Sequence, residues 1–151
     1  MNWPSFWLES LMAAVGTVGF SVLFQVPPRH YPFCALVGAV GWQVYLLSLW
    51  ASASQVFATF IATVVLVACA RWFSTLRRTP TIVFLICGIF TLVPGSELYY
   101  TAYYLFLEEG THAAYHGSLA LKLSVAIALG IVITYSLPAR LFGWQRDVKE
   151  E

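Results

Sequence analysis

Charged side chains are scarce in this chain. Of its 151 residues, 10% are charged and 60% are hydrophobic, whereas an average soluble domain carries about 25% charged residues. No Asp, Glu, Lys or Arg occurs between Arg29 and Arg71. A water-soluble fold of this size could not bury so much apolar surface, so the composition excludes a soluble catalytic module and predicts a membrane protein.

Several patterns typical of other protein classes are also missing. Cys34, Cys69 and Cys87 lie in apolar runs without CxxC or Cys/His spacing, which argues against a disulfide framework and a zinc site. The few basic residues are spread along the chain, so the net charge of +1 does not form a nucleic-acid surface. Walker, Rossmann, GxSxG and HExxH motifs are absent. We therefore expect no enzyme, no metal or other cofactor, and no nucleic-acid partner.

Apolar runs separated by proline, glycine and charge divide the chain into five candidate crossings. A bilayer core about 30 Å thick takes roughly 20 apolar residues per helical crossing. The N-terminus lacks the basic segment of a cleaved signal peptide, so we expect its helix to remain in the mature protein. The prediction is an all-α integral membrane protein, a single transmembrane domain over residues 1–151, with helices at residues 6–26, 33–50, 54–73, 81–108 and 114–138.

The distribution of charge predicts the orientation of these helices. With five crossings, the acidic residues Glu9, Glu108 and Glu109 fall on one side and nearly all basic residues on the other. Because basic loops remain in the cytoplasm, the N-terminus is expected outside and the C-terminus inside. The predicted cytoplasmic residues are Arg29, Arg71, Arg77, Arg78, Arg140, Arg146 and Lys149.

The fourth predicted helix contains a break in the sequence LVPGSE, residues 92–97. Pro94 lacks an amide donor and Gly95 ends helices at low cost, while Ser96 is a suitable N-cap for a second half-helix over residues 97–108. Membrane helices tolerate such breaks where protein or a wet cavity surrounds them. In secondary transporters the positive end of the half-helix faces an anionic substrate group. We therefore predict that the amides after Pro94 bind a carboxylate, with a proline kink without ligand as the alternative.

Two ionisable residues, Glu97 and Lys122, fall inside predicted spans. Because a charge is costly within the membrane, both are candidates for proton uptake or substrate binding. A structural ion pair between them, or a Lys122 side chain that extends to the interface, are the alternatives. Ser118, Ala126 and Gly130 continue the i, i+4 stripe of Lys122, which we expect to face other helices.

The remaining polar residues and the glycines have the following interpretations. Tyr100 lies in a tyrosine-rich run that either lines a polar pathway or forms an aromatic belt at the interface. His112 and His116 have metal-ligand spacing, but exposed loop histidines are the preferred interpretation. Gln43 should hydrogen-bond within the bundle or its oligomer. Close helix packing is expected at the glycines Gly16, Gly19, Gly38, Gly41 and Gly130.

Three segments resemble one family of membrane proteins. The segment VGFSVLFQVPPRHYPFCALVGAVGW, residues 18–42, resembles the small, YjjB-like membrane subunit of the threonine/serine exporter family. The segment LVPGSELYY, residues 92–100, is similar to the Pro-Gly-Ser motif in the fourth helix of that family, and SLPARLF, residues 136–142, to the end of its last helix. The resemblance implies export of threonine and serine, or of dicarboxylates such as succinate, together with a larger partner subunit or fused half.

We therefore expect the small subunit of a proton-coupled secondary exporter of carboxylate-bearing solutes. It would be a multi-pass, oligomeric protein of the bacterial inner membrane, embedded in the lipid bilayer beside a larger subunit of the same family. A non-transporting scaffold subunit and a small passive channel are the alternatives. The residues expected to serve substrate binding or transport are Gln43, Pro94, Gly95, Ser96, Glu97, Tyr100 and Lys122.

Overall fold

The computed structural model describes residues 3–51 and 53–138, with side chains from Phe6 onward. Within these residues the chain forms helices and turns only. Ser52, between the second and third predicted helices, lies outside the described residues, as do Arg140, Arg146 and Lys149 of the predicted cytoplasmic side. The helices are α1 (Trp3–Leu23), α2 (Tyr31–Trp50, preceded by a 3-10 turn at Pro28–His30), α3 (Gln55–Arg77), α4 (Thr81–Ile89), α5 (Gly95–Phe106) and α6 (Gly110–Ser136).

Four of these helices are long and apolar enough to cross a membrane. The candidate spans are Phe6–Leu23, Pro28–Trp50, Gln55–Arg77 and Gly110–Ser136. The fourth predicted crossing instead consists of α4 and α5, with 9 and 12 residues. Neither reaches the roughly 20 residues that one crossing needs. The all-helical, multi-pass membrane architecture is confirmed, while the count of five crossings stays a prediction that depends on α4 and α5 crossing together.

Helix α3 lies at the centre of the bundle, in contact with α2, α4 and α6. Ser54 caps its start, because the Ser54 side chain accepts a hydrogen bond from the Phe57 amide at 3.3 Å. Arg78 ends it in the left-handed conformation, with φ 48°. The fully buried core consists of small and apolar side chains from α2, α3 and α4: Cys34, Val37, Ala58, Ala62, Leu66, Val67, Ala70, Phe84 and Cys87.

Five buried hydroxyl groups in the bundle are satisfied within their own helices. Thr17, Ser21, Thr59, Thr63 and Thr134 are buried. Each donates a hydrogen bond of 2.7–2.9 Å to the carbonyl oxygen four residues earlier. These bonds remove the penalty for an unpaired polar group in an apolar medium. The helices can therefore pack on small polar surfaces without a polar partner on the neighbouring helix.

Glycines allow close approach at several helix contacts. A Cβ atom at Gly38, Gly41 or Gly130 would lie less than 3.0 Å from a neighbouring side chain. Gly16 and Gly19 are different, because a Cβ atom there would meet nothing within 4 Å. Gly88 of α4, which the sequence analysis did not single out, also lies at a close contact. The neighbouring residues are Thr17 for Gly38, Leu66 for Gly41, Val37 for Gly88 and Thr63 for Gly130.

Arg71 fixes the C-terminal end of α6 beside α3. Its guanidinium donates hydrogen bonds to the carbonyl oxygens of Thr134 and Leu137, and its Cζ atom lies 5.5 Å from the centre of the Tyr135 ring. Because a helix C-terminus has unpaired carbonyl groups and a partial negative charge, an arginine is well suited to this position. Because Arg71 is itself near the C-terminal end of α3, the two C-terminal ends lie side by side and helices α3 and α6 run parallel.

The first half of α6 extends past the start of α3. Lys122 of α6 and Ser54, just before α3, line the same groove, which sets the level of the two helices. Residues 110–121 therefore project about 18 Å beyond that level, at 1.5 Å per residue. Helix α5 packs against α6 and has no buried residue. We call α5 together with residues 110–121 the α5–α6 hairpin.

The contact at Gly38 predicts a large difference between two glycine substitutions. In Gly38→Ala the new methyl group would lie 1.9 Å from Thr17 Oγ1, so α1 and α2 must separate at a cost of about 1–3 kcal/mol. In Gly16→Ala the methyl group meets open space, and the helix gains about 0.5–1 kcal/mol. Chemical unfolding in detergent micelles, followed by circular dichroism, measures both. Equal stability of the two variants would contradict the packing described here.

A second prediction concerns the cap of α6. Arg71→Ala leaves the carbonyl groups of Thr134 and Leu137 without this donor, and we expect it to lower the free energy of unfolding by about 1–3 kcal/mol. The free energy of unfolding of Arg71→Lys should lie between those of the wild type and Arg71→Ala, because a single ammonium cannot reproduce the guanidinium fork. Arg78→Ala is the control, since Arg78 is exposed. If Arg71→Ala and Arg78→Ala unfold at the same denaturant concentration, the cap does not stabilise the bundle.

Candidate functional site

The predicted break lies between α4 and α5. Helix α4 ends at Ile89 and α5 begins at Gly95. The intervening amides form short turns, in which Leu92 donates to the carbonyl of Ile89 at 2.9 Å and Gly95 to that of Val93 at 2.7 Å. Pro94 has no amide hydrogen and disfavours helical geometry in the residue before it, so the chain leaves the helix here.

The predicted start of the second half-helix was wrong by two residues. The N-cap of α5 is Pro94, with no side-chain hydrogen bond, and α5 runs from Gly95 to Phe106 instead of over residues 97–108. Ser96 is therefore not the cap but an exposed residue of the first turn. The physical reason is that the φ of proline is already near the helical value, so the helix restarts directly after it.

The break opens onto a cavity of about 250 Å³. Helices α2, α3 and α6 and the break itself all contribute to its wall, so the interrupted backbone faces protein. Polar and apolar groups are mixed, and none of the lining residues is Lys or Arg. The lining residues are Trp42 and Tyr45 of α2, Gln55 and Thr59 of α3, Thr91–Glu97, and Leu123 of α6.

Three N–H groups at this cavity have no acceptor among the described residues. The amides of Ser96 and Glu97 belong to the first turn of α5, where a helix has no backbone acceptor of its own. The indole N–H of Trp42 is buried and has no hydrogen-bond partner. Buried polar groups are nearly always paired in folded proteins. Ser96 and Glu97 line the cavity, so their first-turn amides are the donors suited to an anionic or carbonyl oxygen, whereas the Trp42 N–H is enclosed by protein.

Glu97 connects this cavity to the α5–α6 hairpin. Its Oε2 atom lies 2.7 Å from Nδ1 of His116. The side chains of His116 and Glu97 are 20% and 15% exposed, so most of the pair is withdrawn from solvent. Glu97 also stands in the first turn of α5, where a negative charge is favoured by the helix dipole.

Aromatic stacking surrounds the pair. The ring of Tyr104 lies parallel to the His116 ring, at 5.5 Å and 9° between planes, and the Tyr100 ring is 5.3 Å from His116. The Tyr104 ring also stacks on His112 at 5.0 Å. Glu97, Tyr100 and Tyr104 are spaced by three and four residues and thus share one face of α5. This face forms the contact between α5 and α6.

The structure corrects the interpretation of the two histidines. Both were expected in an exposed loop, but both lie within α6, and His116 is half-buried. Their i, i+4 spacing places them on one helix face, which is the signal that could have indicated a contact with α5. Within the described chain, no group of three or more His, Cys, Asp or Glu residues could hold a metal ion.

Lys122 lies away from the pair formed by Glu97 and His116. It is exposed, in a separate groove of about 570 Å³ between α3 and α6. Of the stripe predicted to face other helices, Ala126 and Gly130 are buried, whereas Ser118 and Lys122 are exposed. The apolar residues beside Lys122 in this groove are Val56, Phe57, Phe60, Leu121, Val125, Ala126 and Leu129.

Gln43 and Tyr100, two other predicted site residues, do not line the cavity. Gln43 is half-buried on α2 and is not among the residues that line the cavity. Gln55, which the sequence analysis did not select, lines the cavity from the first turn of α3. Tyr100 is 43% exposed and contacts His116 instead of the cavity. Of the predicted transport residues, the structure therefore brings together Pro94, Gly95, Ser96 and Glu97.

Comparison with known proteins identifies the family. A sequence model described as "Threonine/Serine exporter, ThrE" matches residues 9–137. A protein of Haemophilus influenzae, described as uncharacterized, is 29% identical over 146 residues, covering 93% of this chain and 48% of the relative. The chain thus spans about half the length of that relative, and no solved structure matches it. Because the family model covers most of the chain, the chain belongs to the threonine/serine exporter family.

Proposed function

We propose that this chain is the small membrane subunit of a secondary exporter and that the cavity at the α4–α5 break binds its substrate. Family membership supports a membrane exporter. The observation that carries the proposed site is the cavity of about 250 Å³ beneath the break, which includes Ser96 and Glu97 in its lining. Discontinuous helices place transport sites in this way in other secondary transporters.

The chemistry of the cavity favours serine and threonine over dicarboxylates such as succinate. A substrate carboxylate can accept hydrogen bonds from the first-turn amides of α5, since Ser96 and Glu97 line the cavity. The carboxylate of Glu97 lies beside these donors and suits an ammonium group, whereas it would repel a second substrate carboxylate. Because no Lys or Arg lines the cavity, a dicarboxylate would find no fixed cation there. Tyr45, Gln55 and Thr59 supply partners for a substrate hydroxyl.

The arrangement of the helices supports alternating access. Helices α2, α4 and α6 pack against α3 and helix α1 packs on α2, whereas α5 has no buried residue and packs against α6. The break at residues 90–94 is therefore a natural hinge between a close-packed bundle and the α5–α6 hairpin. Movement of the hairpin would open or close the cavity wall formed by Glu97.

Proton coupling is part of the proposal. The chain contains no nucleotide-binding motif, so transport would use an ion gradient. Glu97 is the acidic residue that lines the cavity and can exchange a proton as the cavity opens to either side. In this scheme the proton and the substrate ammonium occupy the same carboxylate in turn. One proton would then move opposite to each exported molecule.

The chain is proposed to work with further membrane segments. It covers 48% of its Haemophilus influenzae relative, so a larger subunit of the same family could supply the missing half. Apolar side chains on α1 and α5 are exposed, including Leu11, Val15 and Phe106, and lipid, a partner subunit or a second copy would cover them. The protein would be a multi-pass component of the bacterial inner membrane.

We also propose the orientation that follows from the charges. Arg77 packs its guanidinium 4.7 Å from the Phe33 ring near the start of α2, and Arg71 caps the end of α6. The arginines of α3 thus share one end of the bundle with the start of α2. By the positive-inside rule this end is cytoplasmic, which places the α5–α6 hairpin outside.

The decisive test of this function is the Glu97→Gln variant. Cells that express the chain together with the larger subunit of the family are loaded with radiolabelled serine, threonine or succinate, and efflux is followed with and without an uncoupler. We expect wild-type cells to export serine and threonine faster than succinate. Glu97→Gln should lower that efflux about tenfold or more, because it removes the charge that binds the ammonium group and the proton.

Glu108→Gln is the matched control for this experiment. Glu108 is an exposed acidic residue at the end of the α5–α6 turn, so its loss should leave efflux unchanged. Efflux that continues in the presence of the uncoupler would indicate a passive channel. Efflux that is absent from wild-type cells, with the larger subunit still assembled, would instead identify the chain as a scaffold.

A further inference from the structure

We propose that His116 is a positioning residue for Glu97 and that its imidazolium competes with the substrate ammonium for the Glu97 carboxylate. This inference rests on the function proposed above. The consequence is that protonation of His116 withdraws Glu97 from the cavity and weakens substrate binding, while loss of that proton releases Glu97 to the substrate. Transport would then depend on pH through a residue that lies beside the cavity and not in its wall.

Glu97 contacts both the cavity and His116. Its side chain lines the cavity, and one of its carboxylate oxygens, Oε2, lies 2.7 Å from His116 Nδ1. His116 is not among the residues that line the cavity. A carboxylate that makes a short contact with an imidazolium is stabilised in that position by a charge-assisted hydrogen bond. With neutral imidazole the contact loses its ionic part and the carboxylate is held less firmly.

The backbone around the pair limits how Glu97 can move. The Glu97 carbonyl accepts a hydrogen bond of 2.6 Å from the Thr101 hydroxyl, and Gly117, next to His116, lies against the same threonine. A Cβ atom at Gly117 would be 3.3 Å from Thr101 Cγ2. These contacts fix α5 against α6 at the level of the pair. The exchange between His116 and substrate therefore requires only a change in the Glu97 side chain.

The groups that face the pair come from three helices. On α5 these are Tyr100 and Tyr104. On α6 they are Tyr115, whose ring lies 5.3 Å from that of His116, and His112, whose ring stacks on Tyr104. Tyr45 of α2 lines the same cavity as Glu97. Among these residue types, only histidine ordinarily changes its charge between about pH 5 and pH 8. His116 is the histidine in contact with Glu97.

Charge is balanced in the exchange. When a substrate ammonium takes the place of the imidazolium at Glu97, His116 gives its proton to water and becomes neutral. The Glu97 carboxylate thus faces one positive charge before and after binding, first on His116 and then on the substrate. No other bond is formed or broken. Substrate binding consequently releases about one proton at a pH where His116 starts protonated.

Substrate binding by the full chain, purified together with the larger subunit of the family in nanodiscs, tests the competition. Binding of L-serine is measured by calorimetry at about pH 6 and about pH 8, and each heat is compared in buffers of different ionisation enthalpy to count released protons. For the wild type we expect serine to bind about tenfold more weakly at the lower pH. In His116→Gln, which keeps a hydrogen-bond donor without a titrating charge, the difference should fall to about twofold or less.

His112→Gln is the matched control. It lies one helical turn from His116, stacks on the same tyrosine, and should retain the pH dependence of the wild type. If His116→Gln keeps the tenfold difference, or His112→Gln loses it, the proposal is wrong. Absence of serine and threonine binding by the wild type at both pH values would refute the proposed function, and with it the competition for substrate.

The positioning role can be separated from transport by thermal unfolding. A double-mutant cycle with Glu97→Gln, His116→Gln and the double variant measures the coupling between the two side chains. We expect a larger coupling, seen as a greater non-additive shift in Tm, at about pH 6 than at about pH 8. The sign follows because the ion pair exists only while His116 is protonated. Equal or zero coupling at both pH values would overturn the positioning role, whatever the transport assays show.

Discussion

The absence of water from the bilayer core is the constraint on which this structure depends. In hydrocarbon every backbone donor and acceptor needs a partner, and the chain meets this demand by forming helices almost throughout. Between α4 and α5 the helix is interrupted; short turns stabilise this break, and residues of α2, α3 and α6 line the cavity beside it. The cavity exists because an interrupted helix cannot lie against lipid. Its polar wall is therefore a consequence of the break, and a solute could use the same partners.

Packing separates the protein into parts of different stability. In α1–α4 and the second half of α6, glycines and small side chains permit close contacts, and buried hydroxyl groups bond to their own helices. Such contacts leave little room for movement. The α5–α6 hairpin has tyrosine and histidine stacking instead, and α5 buries no residue. Because Glu97 lies at the junction of these parts, motion of the hairpin would act directly on the cavity.

The ionisable residues show why membrane depth cannot be read from position in a span alone. Lys122 is near the middle of α6, but α6 extends past its neighbours, so Lys122 lies beside Ser54 at the start of α3. Its ammonium can reach the interface from there. Glu97, by contrast, is held among protein groups and paired with His116. Both residues are ionisable and lie inside predicted spans, but their surroundings in the structure differ.

The sequence by itself determined the helical membrane architecture, the break at Pro94 and the family. Each of these follows from local causes: apolar runs long enough to cross a bilayer, the missing amide of proline, and a few short motifs. Only the tertiary structure decided that Glu97 pairs with His116, that Gln55 lines the cavity, and that Gly88 packs closely whereas Gly16 does not. Helical periodicity shows which residues share a face, but it does not show which helix that face meets, because the neighbour is chosen by the packing of the whole bundle.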